Sequence, residues 1–239
     1  MKEIQENKIQ EKIEDQKVKR SLSIPMHLTA LFITIIVFVL GIWIGNYLAL
    51  QVNQQFYTEI DALQTNNVNL EFLSLLESDP AIRTNAALKT EVCTAVEQSA
   101  HNLGVQTADV GRRLRLFEQK RGDGSDVLAL QQRYFALEAR DYFFWKKLKS
   151  LCSSNLTLVI YFYRTECGNC ALFDTAIGDF KQQNPPGILV YSFNLDHRGT
   201  TPSIAMLSSL YKVTSSPAIV VNDAKLTRAP SVEELQKLV

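Results

Sequence analysis

Four cysteines are the residues best able to do chemistry in this 239-residue chain. Two of them, Cys167 and Cys170, are separated only by Gly168 and Asn169, and a predicted helical stretch runs from Cys167 to Gln183. This spacing at a helix N-terminus brings the two sulfurs into bonding range, and the helix dipole favours the thiolate of the first cysteine. Such a pair could exchange disulfides, form a local disulfide bond or supply half of a metal site.

A zinc site is disfavoured, because it needs two further ligands at close range, usually a second cysteine pair or histidines. The chain has no second pair of this spacing, and its three histidines, His27, His101 and His197, show no ligand spacing. We therefore predict no metal and no cofactor. A purely structural disulfide within the motif stays an alternative, although a disulfide this short at a helix start is usually labile.

The other two cysteines, Cys93 and Cys152, stand alone in predicted helices. Their even number would suit a structural disulfide if this part of the chain lies in an oxidising compartment. We predict that they pair with each other, which would pin the second helix of the middle region to the end of its long helix.

The residues around Cys167 and Cys170 alternate between strand and helix patterns. Buried strands are predicted at 156–163 (LTLVIYFY) and 188–195 (ILVYSFNL), with shorter strands at 218–221 and 225–228. Helices are predicted at 167–183, 202–211 and 232–238. This order indicates an α/β sheet covered by helices.

A strand that leads into Cys-x-x-Cys, a second strand ending at Leu195-Asp196, and Ser216-Pro217 before a third strand resemble the thioredoxin superfamily. The resemblance covers residues 155–239. It implies a thioredoxin-like fold in which Pro217 is cis and faces the cysteine pair, while the backbone of Ser216 binds the substrate chain.

The resemblance also implies thiol-disulfide exchange, and the chemistry assigns a role to each cysteine. Cys167 would attack a partner and form a mixed disulfide, which the more buried Cys170 would resolve. The chain departs from thioredoxin itself at Asn169, at Tyr161 in place of a buried acid, and at Glu166 in place of a tryptophan. We therefore do not assign the pair as an oxidase, a reductase or an isomerase.

The region 51–154 is predicted to be all-α. One helix should begin at Pro80 and continue through 92–102 to an end at Gly104, with another helix at 107–120. A long helix is predicted at 126–151, where a mainly apolar stripe has helical spacing: Leu130, Tyr134, Leu137, Asp141, Phe144 and Leu148. The helical region could act as a membrane-proximal spacer, a substrate platform or a dimerising coil. The stripe itself is most simply a core face.

Residues 27–50 are predicted to form a transmembrane helix, because no charged residue occurs between Leu28 and Leu50. A cleavable signal peptide is the alternative, but its apolar core would be shorter. Six lysines and arginines lie in the preceding charged tail, residues 1–26, and none follows the segment until Arg83. The tail is therefore predicted to be cytoplasmic and the remaining chain periplasmic or otherwise extracytoplasmic.

The charge composition excludes no protein partner but gives no reason to expect nucleic acid, since 25 basic residues balance 25 acidic ones. Together these patterns predict a single-pass protein of the cytoplasmic membrane that exchanges disulfides with exported cysteine-containing proteins or with a membrane redox partner. The alternative is a redox-inert binding or assembly module with the same fold. The sequence does not predict an oligomeric state.

Overall fold

The computed structural model describes residues 24–66, 73, 77–121, 124–184 and 187–239. Most of the predicted charged tail therefore lies outside the described residues, as does part of the predicted turn at 121–125. The chain divides into two compact units, Met1–Val52 and Asn53–Val239.

The described part of the first unit is helical. Helix α1 spans Ile24–Asn66, so its residues from Asn53 onward belong to the second unit. Its stretch Leu28–Leu48 has a mean hydropathy of 2.6. Large apolar side chains along this stretch are exposed, including Phe32, Phe38 and Trp43. By length and composition alone, α1 is the one helix among the described residues that could cross a membrane.

Among its described residues, the second unit contains three further helices before its sheet: α2 (Pro80–Thr84), α3 (Ala86–Arg121) and α4 (Ser125–Cys152). Asp79 caps α2 by accepting a hydrogen bond from the amide of Ala81. The prediction of one helix continuing from Pro80 is wrong, because Asn85 interrupts it. Its backbone is extended, and its side chain accepts hydrogen bonds from the amides that begin α3.

The predicted helix end at Gly104 is also wrong, since α3 passes through this residue. A glycine inside a helix costs about 1 kcal/mol relative to alanine. Leu103 and Thr107 on either side are buried, and Leu103 belongs to a core cluster with residues of α1 and α4. Packing against neighbouring helices therefore outweighs the local preference of Gly104.

Helix α4 joins the helical region to the sheet. Leu130 and Leu137 pack with residues of α1 and α3, whereas Phe144 and Leu148 share a core cluster with the sheet. The apolar stripe predicted on this helix is therefore a core face. Where α3 meets α4, a side chain at Gly111 would clash with Tyr134, because its Cβ would lie 2.1 Å from the Tyr134 hydroxyl oxygen.

In the part of the chain that the structure describes, four strands form one mixed sheet in the order β2-β1-β3-β4. They are β1 (Thr157–Tyr163), β2 (Ile188–Asn194), β3 (Ala218–Val221) and β4 (Ala224–Leu226). Strand β1 pairs in parallel with β2 and antiparallel with β3, which pairs antiparallel with β4. The last strand lies earlier than the predicted 225–228, because the chain turns tightly at Asn222 and Asp223, both with positive φ.

Helices cover both faces of this sheet. Helices α5 (Cys170–Gln183) and α7 (Val232–Gln236) pack on one face, against Val159 and Tyr161 of β1. Helices α4 and α6 (Pro202–Leu210) pack on the other face, against Ile160 and Phe162. Strand β1 is therefore buried from both sides, in agreement with its run of branched and aromatic residues.

Two buried carboxyl groups on α4 were not anticipated as such. Asp141 accepts a hydrogen bond of 2.7 Å from the hydroxyl of Tyr191, and Glu138 accepts one of 2.7 Å from the hydroxyl of Tyr134. Burial raises the pKa of Glu138 to about 8 and that of Asp141 to about 6. Hydrogen bonds from the Tyr134 hydroxyl and the Ser192 backbone lower the pKa of Glu138, but burial outweighs them, so the structure favours the protonated acid at this position.

We expect Glu138→Gln to flatten the pH dependence of stability. The unfolded chain loses the Glu138 proton near the ordinary pKa of 4.5, while the folded chain keeps it up to about 8. The folded state is therefore destabilised as pH rises through this window, by about 3 kcal/mol between pH 5 and pH 8. In the Glu138→Gln variant, this part of the loss of stability between pH 5 and pH 8 should be absent.

The measurement is urea unfolding of the full-length protein in detergent at both pH values, followed by the fluorescence of the buried Trp145 in a Trp43→Phe background. The exposed Glu91→Gln on α3 serves as the control and should leave the fall intact. An unchanged fall in Glu138→Gln would contradict the assignment.

Candidate functional site

The Cys167–Cys170 pair lies in the segment that connects the end of β1 to α5. The two sulfurs form a disulfide, with the Cα atoms 5.5 Å apart. Both cysteines are half-buried, whereas Gly168 and Asn169 between them are exposed. The solvent-exposed part of this segment is therefore the two residues between the cysteines.

Helix α5 begins at Cys170, three residues later than predicted. Asn169 occupies the N-cap position with φ −111° and ψ 3°, outside helical geometry, and its side chain makes no capping hydrogen bond. Cys167 therefore lies just before the helix and Cys170 in its first turn. The pair therefore still lies at the N-terminal end of α5, where the helix dipole favours a thiolate.

Ser216 and Pro217 lie at the same end of the sheet as the cysteines. Ala218, the first residue of β3, pairs with Phe162 near the end of β1, so the two residues before it flank the segment that leads to Cys167. The Ser216–Pro217 peptide bond is cis, as the resemblance implies. The Ser216 hydroxyl is buried and makes no hydrogen bond with any described residue.

The segment after β1 is held by the end of β2. The amide of Thr165 donates a 2.8 Å hydrogen bond to Asp196 Oδ2, and Asn194 Nδ2 donates one of 3.0 Å to the Thr165 hydroxyl. Arg164 forms an ion pair with Asp196 at 3.6 Å. In the sequence, Asp196 marks only the end of a predicted strand, although a polar residue directly after a buried parallel strand is a signal for such a role.

Tyr161 occupies the position beneath Cys170. Its ring is buried and stacks on Phe173, with ring centroids 6.2 Å apart, and its hydroxyl donates a 3.4 Å hydrogen bond to the Cys170 carbonyl. Burial, followed by the nearby carboxylate of Asp174, raises the pKa of this phenol well above its ordinary value. Tyr161 is therefore a neutral hydroxyl at the start of α5, with the Cys170 carbonyl and the Asp174 carboxylate as its acceptors. Glu166, beside Cys167, is exposed.

The other two cysteines, Cys93 and Cys152, form a disulfide that joins α3 to the last residue of α4, with the Cα atoms 5.7 Å apart. This bond lies just before β1 in the chain, whereas Cys167 follows β1. Seven strand residues separate the two ends of β1 by about 20 Å. The two disulfides therefore lie at opposite ends of the sheet. Among the described residues, no cluster of histidine, cysteine, aspartate and glutamate could hold a metal ion.

The mixed four-stranded sheet with helices on both faces is consistent with a thioredoxin-like fold. Neither a protein-family model nor a curated protein matches the chain. Solved structures with partial similarity include the germline-specific thioredoxin Deadhead from Drosophila melanogaster, at 21% identity and a TM-score of 0.28 over 41% of this chain and 85% of that one.

Another partly similar structure is the first thioredoxin domain of mouse protein disulfide-isomerase A4, at 21% identity and a TM-score of 0.26. This similarity covers 38% of this chain and 65% of that chain. A structure titled only as a malarial protein has 21% identity and a TM-score of 0.30, covering 35% of this chain and 93% of that one.

We expect Asp196→Ala to loosen the segment before Cys167, because it removes the acceptor of the Thr165 amide. A hydrogen bond to a charged group contributes about 1.5 kcal/mol or more, so this amide should exchange with solvent about tenfold faster. Hydrogen exchange of the full-length protein measures the effect. Asp179→Ala, at an exposed position on α5, is the control. Equal protection of Thr165 in both variants would refute the role of Asp196.

Proposed function

We propose that this chain is a membrane-anchored thiol-disulfide oxidoreductase that acts through Cys167 and Cys170. The observation that carries the proposal is the placement of a half-buried cysteine disulfide at a helix start, at the same sheet end as Ser216 and Pro217. A structural crosslink would not need exposed residues between its cysteines. Exposed Gly168 and Asn169 leave a partner chain room to approach.

In the reduced form, the Cys167 thiolate would attack a sulfur of a partner disulfide. A mixed disulfide forms and the partner's other sulfur leaves as a thiolate, which takes up a proton. The Cys170 thiolate then attacks Cys167 and releases the second partner thiol. One dithiol is oxidised and one disulfide is reduced. The reverse sequence oxidises a partner dithiol, and the relative reduction potentials decide the direction.

Ser216 and Pro217 would bind the partner backbone. Their place before β3 leaves the Ser216 main chain beside the approach to Cys167, where an extended segment could add to the sheet end. The buried Ser216 hydroxyl, which lacks a partner among the described residues, supports the assignment of polar contacts to this position.

The helix Leu28–Leu48 would anchor the enzyme in the cytoplasmic membrane, with the tail inside and the exchange site outside. The Cys93–Cys152 disulfide supports this topology, because such bonds persist in oxidising compartments. Partners would then be exported cysteine-containing proteins or a membrane redox protein.

We expect Cys170→Ser to trap partners as mixed disulfides in the native host, because the variant can form the first bond but cannot resolve it. The measurement is non-reducing electrophoresis after acid quenching, followed by mass spectrometry of the trapped species. The matched control is Cys167→Ser/Cys170→Ser, which should trap none.

Two outcomes would contradict the proposal. Adducts that persist in the double variant would arise elsewhere in the chain. A complete absence of adducts, together with a Cys167–Cys170 disulfide that dithiothreitol does not reduce in the folded wild type, would favour the redox-inert binding module.

A further inference from the structure

The Cys93–Cys152 disulfide does more than join two helices, because it forms part of the wall of an open cavity of about 260 Å³. Three apolar side chains, Ile82, Val92 and Leu151, line the same cavity. Both cysteines are half-buried. Solvent and small solutes therefore have a path toward the disulfide of the folded protein, unlike a crosslink enclosed in a core.

The cavity also presents both signs of charge. Lys89 and Glu77 both line the cavity. Glu77 forms an ion pair with Lys147 at 2.5 Å. An amino-acid thiol such as cysteine carries a carboxylate, an ammonium group and a short thiol arm. Its carboxylate matches Lys89 and its ammonium matches Glu77, while its thiol would reach the wall formed by the disulfide.

We propose that the Cys93–Cys152 disulfide is a second exchange site, which reacts with a small amino-acid thiol bound in this cavity. The proposal does not depend on the function assigned to Cys167 and Cys170. The two disulfides lie beyond opposite ends of β1, and the strand alone is about 20 Å long, so they do not exchange directly within one chain.

The surroundings of the two sulfurs decide which one is attacked. Lys89 precedes Cys93 by one helical turn and faces the cavity with it, so its ammonium favours a thiolate at Cys93. Glu97, one turn further on, is not part of the cavity wall. Cys152 ends α4, where the helix dipole disfavours a thiolate. Lys149 nearby donates instead to Asn222 Oδ1 at 3.0 Å.

Cys93 is therefore the better leaving group, and the incoming thiolate attacks Cys152. The Cys93–Cys152 bond breaks, a mixed disulfide forms at Cys152, and the Cys93 thiolate takes up a proton. A second thiolate can attack the adduct, which yields a small-molecule disulfide and two protein thiols. Overall, two thiols are oxidised and one protein disulfide is reduced.

The test uses the full-length Cys167→Ser/Cys170→Ser protein in detergent, incubated with cysteine, quenched with acid, alkylated and mapped by mass spectrometry. Wild type is mapped in parallel at the same two peptides. We expect cysteine adducts on Cys152 and an alkylated Cys93 in the folded protein. In a Lys89→Ala background the adduct should form about two- to fivefold more slowly, the range expected for loss of one exposed charge contact.

Cysteamine lacks the carboxylate that Lys89 would bind. Replacing Lys89 should therefore slow adduct formation with cysteamine less than with cysteine. Lys237→Ala, at an exposed position after α7, is the matched control and should react as its parent does. Leu151→Phe narrows the cavity but retains both cysteines, so it should also slow adduct formation with cysteine. Reaction only after unfolding in urea, adducts chiefly on Cys93, or equal rates in Lys89→Ala and Lys237→Ala would each overturn the proposal.

Discussion

Strand β1 is buried on both faces, and this burial decides where the helices around the sheet pack. Five consecutive side chains, from Leu158 to Phe162, are no more than 5% exposed. Each large apolar side chain buried in this way contributes about 1.5 to 3 kcal/mol relative to exposure. Because successive side chains of the strand point to opposite faces of the sheet, helices are needed on both sides to bury them. Its two neighbours, β2 and β3, bring Asp196 and Pro217 to the end where Cys167 follows.

The same strand explains why the helical region shares a core with the sheet. Helix α4 runs directly into β1, and its second half supplies Tyr142, Phe144 and Leu148 to the cluster that covers Ile160 and Phe162. Asn222, in the tight turn after β3, reinforces the junction. Its side chain accepts from the Leu158 amide and from Lys149, and donates to the Leu238 carbonyl. Helix, strand, hairpin and C-terminus are thereby joined at one residue.

Much of the sheet could be predicted from the sequence because runs such as LTLVIYFY combine strand-forming side chains with length suited to a buried strand. The Cys-x-x-Cys motif and Ser216-Pro217 were likewise visible as local patterns. The helix break at Asn85 and the continuation of α3 through Gly104 were not visible in this way. A capping side chain decides the first and a packed helix face decides the second, against weak local preferences.

The contacts that support the site were also beyond the reach of periodicity. The bond from the Thr165 amide to Asp196 joins residues 31 positions apart, and only the parallel pairing of β1 and β2 brings them together. Asp141 fell on a predicted apolar stripe, but its partner Tyr191 lies 50 residues away. The spacing of residues along one helix therefore identifies its buried face. It does not identify the partners that hydrogen-bond to the buried polar groups on that face.

The central claim is that Cys167 and Cys170 cycle between disulfide and dithiol while the chain stays folded. Equilibration of the full-length protein in glutathione buffers of graded ratio, with acid quenching and site-resolved alkylation, tests it directly. We predict that both cysteines change together in one reversible two-electron transition, with the same curve approached from the oxidised and the reduced protein. A pair that becomes reduced only when the protein unfolds, or that does not re-oxidise, would contradict the claim.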